Sequence, residues 1–474
     1  MDKALRRTWV IALVGSLALL ANITYVQGFE AQALRDDRHN ARQFQNRDKI
    51  NRGPIVADGE RLAWSVPVSG GRYQRRYLDS EIFAPVTGYF SQYSQSGLEN
   101  AENRLLDGTD PRLATTSLID RVIGRKVAGG AVEATVDPDA QRAAYRALRA
   151  TGARRAAAVA LDTRTGAIKV MASTPSYDAN TVSTLDTRRA DAAFERLNAD
   201  RLKPMLNKAI GETFPPGSTF KTVTAAAALA AGTTAQTPVP ARRSYTPPGA
   251  ARPINNDEGD IGGECDLPAI PLINSYAQSC NTTFARMGAE RPGGDAIGAQ
   301  ARRYGFGQRI EIARGMSSAP SAYPVSDPAL DALGAMGQGS TVATPLQMAM
   351  VAAASVNGGQ VMRPYLVERV RGADGSVVEQ TRPGRLSQAL TADQAAQLKR
   401  MMRAVVERGT ADDLRGTAVE GGKTGTADVD NASYNDRWFI GFGSHYAVAV
   451  MTEAPGYGIK SGPAAAAILE ALGR

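Results

Sequence analysis

The sequence predicts an α+β protein carried on one N-terminal membrane helix, and three observations support that expectation. Lys3, Arg6 and Arg7 precede a mostly apolar run over residues 9–26. Apolar strand-like segments open and close the second half of the chain: residues 156–161 and 167–172, then 419–427, 437–443 and 446–453. The connections between them are short, which predicts antiparallel neighbours, and the sequence lying between is helical in pattern.

The first element is the anchor. About 18–20 residues at 1.5 Å each just cross a ~30 Å hydrocarbon core, and the basic cluster before the run predicts a cytoplasmic N-terminus with everything after Gln27 outside. A cleaved secretory signal is the alternative. The length of the run, with no small-x-small cleavage site directly after it, favours a retained single-pass anchor over residues 1–27.

Residues 28–150 predict a small mixed module. Residues 52–56 read as extended, Asp58-Gly59 as a turn, and 62–66 as a second strand. Residues 132–136 alternate like a strand, after which Asp137-Pro138 supplies an N-cap and first-turn proline for a helix to about residue 148. No catalytic cluster is visible here, so the segment reads as a spacer or docking module.

Residues 151–474 form the third predicted unit. Its first two strands make a hairpin across Thr165-Gly166. Pro215-Pro216-Gly217 leads through Ser218 into an alanine-rich helix ending near residue 231, and residues 238–253 read as a loop. A last apolar helix over 462–472 is expected to pack on the antiparallel sheet.

Composition narrows the chemistry. The chain has 474 residues, 43% hydrophobic and 22% charged, enough for a packed core. Two histidines and two cysteines argue against zinc, and neither His39 nor His445 has the setting of a Ser-His-Asp triad. A nucleophilic enzyme with this composition needs a base other than histidine. The net charge is +8, yet the arginines are scattered among acids with no aromatic-interleaved basic block, so nucleic acid is not an expected partner. The bias suits anionic lipid or a cell-wall polymer. No metal or cofactor is expected.

Three short patterns carry chemistry. In Ser218-Thr219-Phe220-Lys221 a helical spacing of three puts the lysine on the serine's face, and a lysine in a partly dry pocket becomes a neutral base. In Ser279-Cys280-Asn281 a hydroxyl and a carboxamide two residues apart can enter one cleft. In Lys423-Thr424-Gly425-Thr426 a lysine and two hydroxyls along one strand edge suit a carboxylate, with Gly425 letting the ligand approach the backbone. Each alone is weak, since an exposed lysine or a polar turn explains it as well. Two of the chain's ten lysines fall inside these patterns, which strengthens them jointly.

Taken in this order and spacing, the three patterns resemble the set shared by penicillin-binding proteins and class A β-lactamases. The chain resembles the class B penicillin-binding proteins, of the actinobacterial penicillin-binding protein A type. The likeness extends through Arg52-Gly53, Gly97-Leu98-Glu99, Ser173-Thr174-Pro175, Leu206-Asn207-Lys208, Gly337-Gln338-Gly339 and Thr344-Pro345-Leu346-Gln347. It implies a serine β-lactamase/transpeptidase-like fold, with helices on an antiparallel sheet and an all-helical subdomain, and it implies that residues 28–150 are a pedestal for dimerisation or partner docking. It implies a D,D-transpeptidase that cross-links peptidoglycan during growth or division. Ser218 would attack between the last two D-alanines of a stem peptide, Lys221 would take its proton, and Ser279 would pass one to the departing D-alanine. Asn281 would orient the donor, and Lys423, Thr424 and Thr426 would bind its carboxylate. The N–H groups of Ser218 and Thr426 would form the oxyanion hole, an amine from a second stem would resolve the acyl-enzyme, and β-lactams would acylate the same serine.

Rival readings differ at identifiable residues. A class A β-lactamase needs a glutamate after the Ser-x-Asn element, whereas the similar Glu195-to-Asn198 stretch lies before Ser218. A bifunctional enzyme needs a glycosyltransferase domain, for which residues 28–150 are too short, so a separate membrane glycosyltransferase and other division or elongation proteins are expected partners. A D,D-carboxypeptidase, or a β-lactam-binding sensor or scaffold without turnover, remains compatible with the motifs.

The two cysteines lie on the oxidising side of the membrane and are even in number, so a Cys265–Cys280 disulfide is expected, with Cys265 following the stretch 258–263. Ser279 and Asn281 would then face the cleft while Cys280 faces away.

Overall fold

A computed structural model describes residues 2–26, 47–113, 128–257, 262–429 and 432–473. His39, the start of the predicted second unit at residue 28, and residues 258–261 of the stretch before Cys265 lie outside these.

The chain begins with helix α1, Asp2–Tyr25, whose stretch Leu5–Tyr25 is long and apolar enough to cross a membrane. Its large side chains, Trp9, Ile11, Leu17 and Leu20 among them, are exposed among the described residues. Strands β1 (Ile55–Ala57), β2 (Glu60–Val68), β3 (Arg72–Tyr77) and β4 (Ala131–Ala134) follow, then helix α2 (Pro138–Ala150). Asp58 and Gly59, at φ 45° and 78°, make the β1–β2 turn. Asp137 caps α2 by accepting from Ala140 N, with Pro138 in the first turn, as its sequence indicates.

Next come β5 (Arg155–Asp162), β6 (Ile168–Thr174), α3 (Lys221–Ala230), α4 (Leu272–Ala277), α5 (Asn281–Ala289), α6 (Gly294–Arg303) and α7 (Pro345–Val356). The chain closes with β7 (Val367–Arg371), β8 (Val377–Gln380), α8 (Ala392–Arg408), β9 (Gly421–Asp428), β10 (Asn435–Gly443), β11 (Tyr446–Ala454) and α9 (Gly462–Leu472). Residues 238–253, expected as loop, contain the short pairing strands Pro238–Pro240 and Ser244–Tyr245.

Two sheets organise these elements. The larger unit holds a five-stranded antiparallel sheet in the order β9-β10-β11-β5-β6. Helices α2 and α9 pack together against it, and α7 and α8 pack on β11 and β9. Its middle strands are buried on both faces, so β5 and β11 read as apolar runs rather than alternations. Helix α3 runs through the core with nine of its ten residues buried. Alanines dominate it because neighbours approach it from every side.

The second sheet has the order β8-β7-β4-β1-β2-β3. It is not confined to residues 28–150: β7 and β8 come from residues 367–380, β7 pairing with β4 and β8 with β7. A linear division at residue 150 therefore does not describe this sheet. Strand pairing across more than 200 residues leaves no local signal in periodicity.

A buried ion cluster ties this sheet to the short helix Gly97–Ala101. Glu99 accepts from Arg52 Nη2 at 2.8 Å, Arg75 Nε at 2.6 Å and Tyr77 Oη at 3.2 Å. Burial pushes the Glu99 carboxyl upward, but the two guanidiniums outweigh it and hold it below its ordinary value. Two of the motifs that carried the resemblance, Arg52-Gly53 and Gly97-Leu98-Glu99, thus meet in one contact.

Candidate active site

Ser218 sits in a tight 3-10 turn, Gly217–Phe220, that runs directly into α3. Three contacts place this turn. Pro215 O accepts from Trp438 Nε1 at 2.8 Å, and Gly217 N donates to Gly337 O at 2.9 Å. Thr219 Oγ1 donates to Pro216 O at 2.6 Å. Gly217 has φ +52°, and a Cβ there would lie 2.5 Å from the Thr426 carbonyl oxygen, so the turn abuts β9 with no room for a side chain.

Lys221 begins α3 and is fully buried. Its Nζ meets Ser279 O at 2.7 Å, Ser279 Oγ at 3.2 Å and Asn281 Oδ1 at 2.6 Å, and none of its hydrogen bonds runs to Ser218. Helical spacing brings Ser218 and Lys221 to one face, but the amine rests on the second motif. A neutral amine has two protons and one lone pair. It can donate to the Ser279 carbonyl and the Asn281 amide while accepting from the Ser279 hydroxyl. Burial lowers the Lys221 amine to about 7, an effect that Asp257 partly opposes.

Ser279 and Asn281 do not share a loop. Ser279 lies in the left-handed region at φ 62°, between α4 and α5, whereas Asn281 is the first residue of α5. Cys280 between them is buried and joined to Cys265, with Cα atoms 5.4 Å apart. The bridge lies in a small separate core with Ala241 and Ile270.

Strand β9 separates its motif onto two faces, because successive side chains in a strand point oppositely. Thr424 and Thr426 line the cavity. Lys423 does not: it is fully buried on the other face, donates to Thr424 O at 3.0 Å, and lies 5.8 Å from the Tyr276 ring centroid. The expectation of a lysine and two hydroxyls along one edge is corrected accordingly. Burial, and then the neighbouring Lys221, pull the Lys423 amine well below its usual range. Gly425 also serves differently than expected. A Cβ there would come within 2.8 Å of Pro216 O and Thr219 N, so its bareness admits the Ser218 turn.

A cavity of about 720 Å³ is lined by Ser218, Ser279, Asn281, Thr424, Gly425 and Thr426, bringing the three motifs together above the two buried lysines. Its walls include residues that the sequence reading did not select as site residues: Asp257, Gln338, Thr410, Asp428 and Tyr457. Gln338 belonged to a quoted motif without a role. Thr410 hydrogen-bonds Thr424 at 2.6 Å between their hydroxyls, and Gly458 N donates to Thr426 Oγ1 at 2.9 Å. No local pattern in the sequence marks either.

Residues 156–472 match the penicillin binding protein transpeptidase domain, and residues 52–132 the penicillin binding protein A dimerisation domain. The chain is 37% identical over 467 residues to the peptidoglycan D,D-transpeptidase PbpA of Mycolicibacterium smegmatis, covering 96% of this chain and 94% of that protein. It is 35% identical over 468 residues to PbpA of Mycobacterium tuberculosis, with the same coverage, 96% and 94%. Its fold resembles the crystal structure of PBPA from M. tuberculosis, with TM-score 0.83 and 34% identity over 89% of this chain and 99% of that one. The penicillin G acyl-enzyme complex of that M. tuberculosis protein is equally similar, with TM-score 0.83 and 34% identity over 90% of this chain and 100% of that one.

Proposed function

The chain belongs to the penicillin-binding protein transpeptidase family, and from this premise we propose how its cavity carries out the reaction. It is a peptidoglycan D,D-transpeptidase that works through a serine acyl-enzyme and is acylated by β-lactams. The observation that carries the residue assignment is the gathering of Ser218, Ser279, Asn281, Thr424 and Thr426 around one cavity, with Lys221 hydrogen-bonded beneath it.

In this reading Ser218 Oγ attacks the carbonyl carbon between the last two D-alanines, and neutral Lys221 takes the serine proton. The carbonyl oxygen becomes an oxyanion held by the N–H groups of Ser218 and Thr426, each donor worth about 3 kcal/mol. In a strand the N–H and C=O of one residue point to the same side, and the Thr426 carbonyl meets the Ser218 turn, which supports this pairing. Collapse breaks the C–N bond. The proton on Lys221 passes through Ser279 to the departing D-alanine amine, leaving an ester on Ser218. The acceptor amine then attacks that ester, its proton returns to Ser218 Oγ by the same route, and a new amide is released. Thr424 and Thr426 meet the donor carboxylate above the buried Lys423, and Asn281 orients the donor stem.

The helix Leu5–Tyr25 fits a single-pass membrane anchor. The cytoplasmic N-terminus and extracytoplasmic catalytic unit follow from Lys3, Arg6 and Arg7 at its N-terminal end. The six-stranded sheet is the surface we assign to a membrane glycosyltransferase and to division or elongation proteins, because the match to the penicillin binding protein A dimerisation domain, residues 52–132, falls on it.

The test uses the full chain in detergent, a thioester donor that mimics an acyl-D-alanine stem, and a D-amino acid acceptor. The aminolysis product is expected in addition to hydrolysis, and neither with Ser218→Ala. Hydrolysis alone at every acceptor concentration would make the protein a carboxypeptidase. An acyl-enzyme that never turns over would make it a sensor.

A further inference from the structure

Asp257 lines the cavity, and the segment 255–257 that carries it belongs to none of the three motifs. Asn256 clamps this segment to the start of α5, which Asn281 opens. Its Nδ2 donates to Cys265 O at 2.8 Å and Arg242 O at 3.2 Å, while its Oδ1 accepts from Thr282 N at 3.0 Å. The Cys265–Cys280 disulfide closes the same assembly from the other side. The segment therefore has a set position relative to Asn281.

The Asn281 amide has one workable orientation. Its Oδ1 accepts from Lys221 Nζ at 2.6 Å, and its Nδ2 donates to Asn255 O at 3.2 Å and, more weakly, to Asp257 Oδ1 at 3.4 Å. The reversed amide would set NH₂ against the lysine and oxygen against a carbonyl and a carboxylate. Asp257 thus favours the orientation that presents an acceptor to Lys221.

Charge points the same way. Lys221 and Lys423 are buried near one another, from α3 and β9, and their like charges oppose. Asp257 is the carboxylate whose field acts on both. From α5 the Phe284 ring faces Lys221 at 5.6 Å, and from α4 the Tyr276 phenol bonds Thr222 at 2.8 Å. Helices α6 and α8, which also pack on α3, bury only uncharged side chains.

We propose that Asp257 is a positioning residue for Lys221: it holds the Asn281 amide in register against the amine and supplies the negative charge that the two buried lysines face. The proposal rests on the assignment of Lys221 as the base for Ser218.

The experiment follows acylation of the full chain by penicillin G from pH 5.5 to 9. It compares the unaltered protein with Ser218→Ala, Asp257→Asn and Asp257→Glu, with thermal melting of each. The unaltered protein should lose rate on acidification through about pH 7, as the amine protonates. Without the carboxylate the amine holds its proton less tightly, so in Asp257→Asn that limb should move about half a unit toward acid. The displacement should shrink in about 0.5 M salt, and Asp257→Glu should restore the original limb. An unmoved limb in Asp257→Asn, or equal displacement in the Asn and Glu variants, overturns the proposal. Absence of an acid limb in the unaltered protein, or acylation surviving Ser218→Ala, would instead overturn the base and nucleophile assignments on which it rests.

Discussion

Lys221 Nζ donates to Asn281 Oδ1 at 2.6 Å, which joins the first and second sequence motifs through their polar ends. The resting base is therefore committed to residues 279 and 281. Part of that cluster must give way before the amine can take a proton from Ser218. A lysine made neutral by burial can do this at small electrostatic cost, because no charge leaves its partners.

Lys221→Arg should abolish this capacity, since a guanidinium stays protonated. Acylation by penicillin G should fall about 10²–10⁴-fold at every pH, without the acid limb. Lys423→Arg should behave differently. Its site is sealed, so the larger head group should cost about 1–3 kcal/mol of stability and slow acylation less. Stopped-flow acylation and chemical denaturation of the two variants separate these effects.

Gly337→Ala should disturb the nucleophile from a distance. Gly337 has φ +80°, and its Cβ would lie 2.1 Å from Gly217 O in the turn that carries Ser218. A loss of about 2–4 kcal/mol is expected, with slower acylation. Gly375→Ala, at φ +83° with nothing within 4 Å, serves as the control. It should cost only about 1–2 kcal/mol and leave acylation unchanged.

Opening the Cys265–Cys280 bridge should reduce stability by at most about 3 kcal/mol, as expected for closing a loop of 15 residues. Acylation should slow severalfold yet persist, because neither sulfur takes part in the chemistry. Alkylation of the unreduced, unfolded chain reports the bridge, and acylation rates with and without reductant report its effect.

Glu99→Gln should be among the most destabilising single changes in the smaller sheet. It leaves the buried Arg52 and Arg75 guanidiniums without their shared anion, at a cost of about 3–5 kcal/mol. Because the folded protein holds this carboxyl below its ordinary value, its contribution is present at neutral pH and is lost as acid protonates it. Urea unfolding at pH 7 and pH 4 should show the variant's deficit narrowing at the lower pH.

Asp436→Asn should show the opposite pH dependence. Burial, then the nearby Glu453, push the Asp436 carboxyl up to about 7, against a partial pull from Arg155. A raised acid stabilises the fold while protonated, and that contribution disappears as pH rises through about 7. The amide should therefore raise the melting point at pH 8, by an amount corresponding to roughly 2–4 kcal/mol, and change it little at pH 4.

Much of this was legible because it is local. The Asp137-Pro138 cap, the Thr165-Gly166 hairpin, the alanine-rich helix after Ser218 and the C-terminal three-strand run depend on residues adjacent in sequence. So does the co-occurrence of the three motifs. The orientation of Lys423 was also available, since period-two alternation sets it opposite Thr424 and Thr426, but a shared chemical role was read as a shared face. Asp257 and Thr410 were not available. Each reaches the cavity through long-range packing, and nothing beside either in the chain distinguishes it from any other polar loop residue.

Strands β7 and β8 complete a sheet whose other members lie before residue 135. The chain thus leaves the catalytic unit, contributes two strands to its neighbour, and returns to build β9 and the cavity wall. The two units are sewn rather than strung together. A truncated protein that starts at residue 151 would expose the bare edge of β7 and invite foreign strands to pair with it. A load applied to the smaller sheet by the membrane or by a docked partner would pass to the catalytic unit through two crossings of the backbone, in addition to the linker at residue 150.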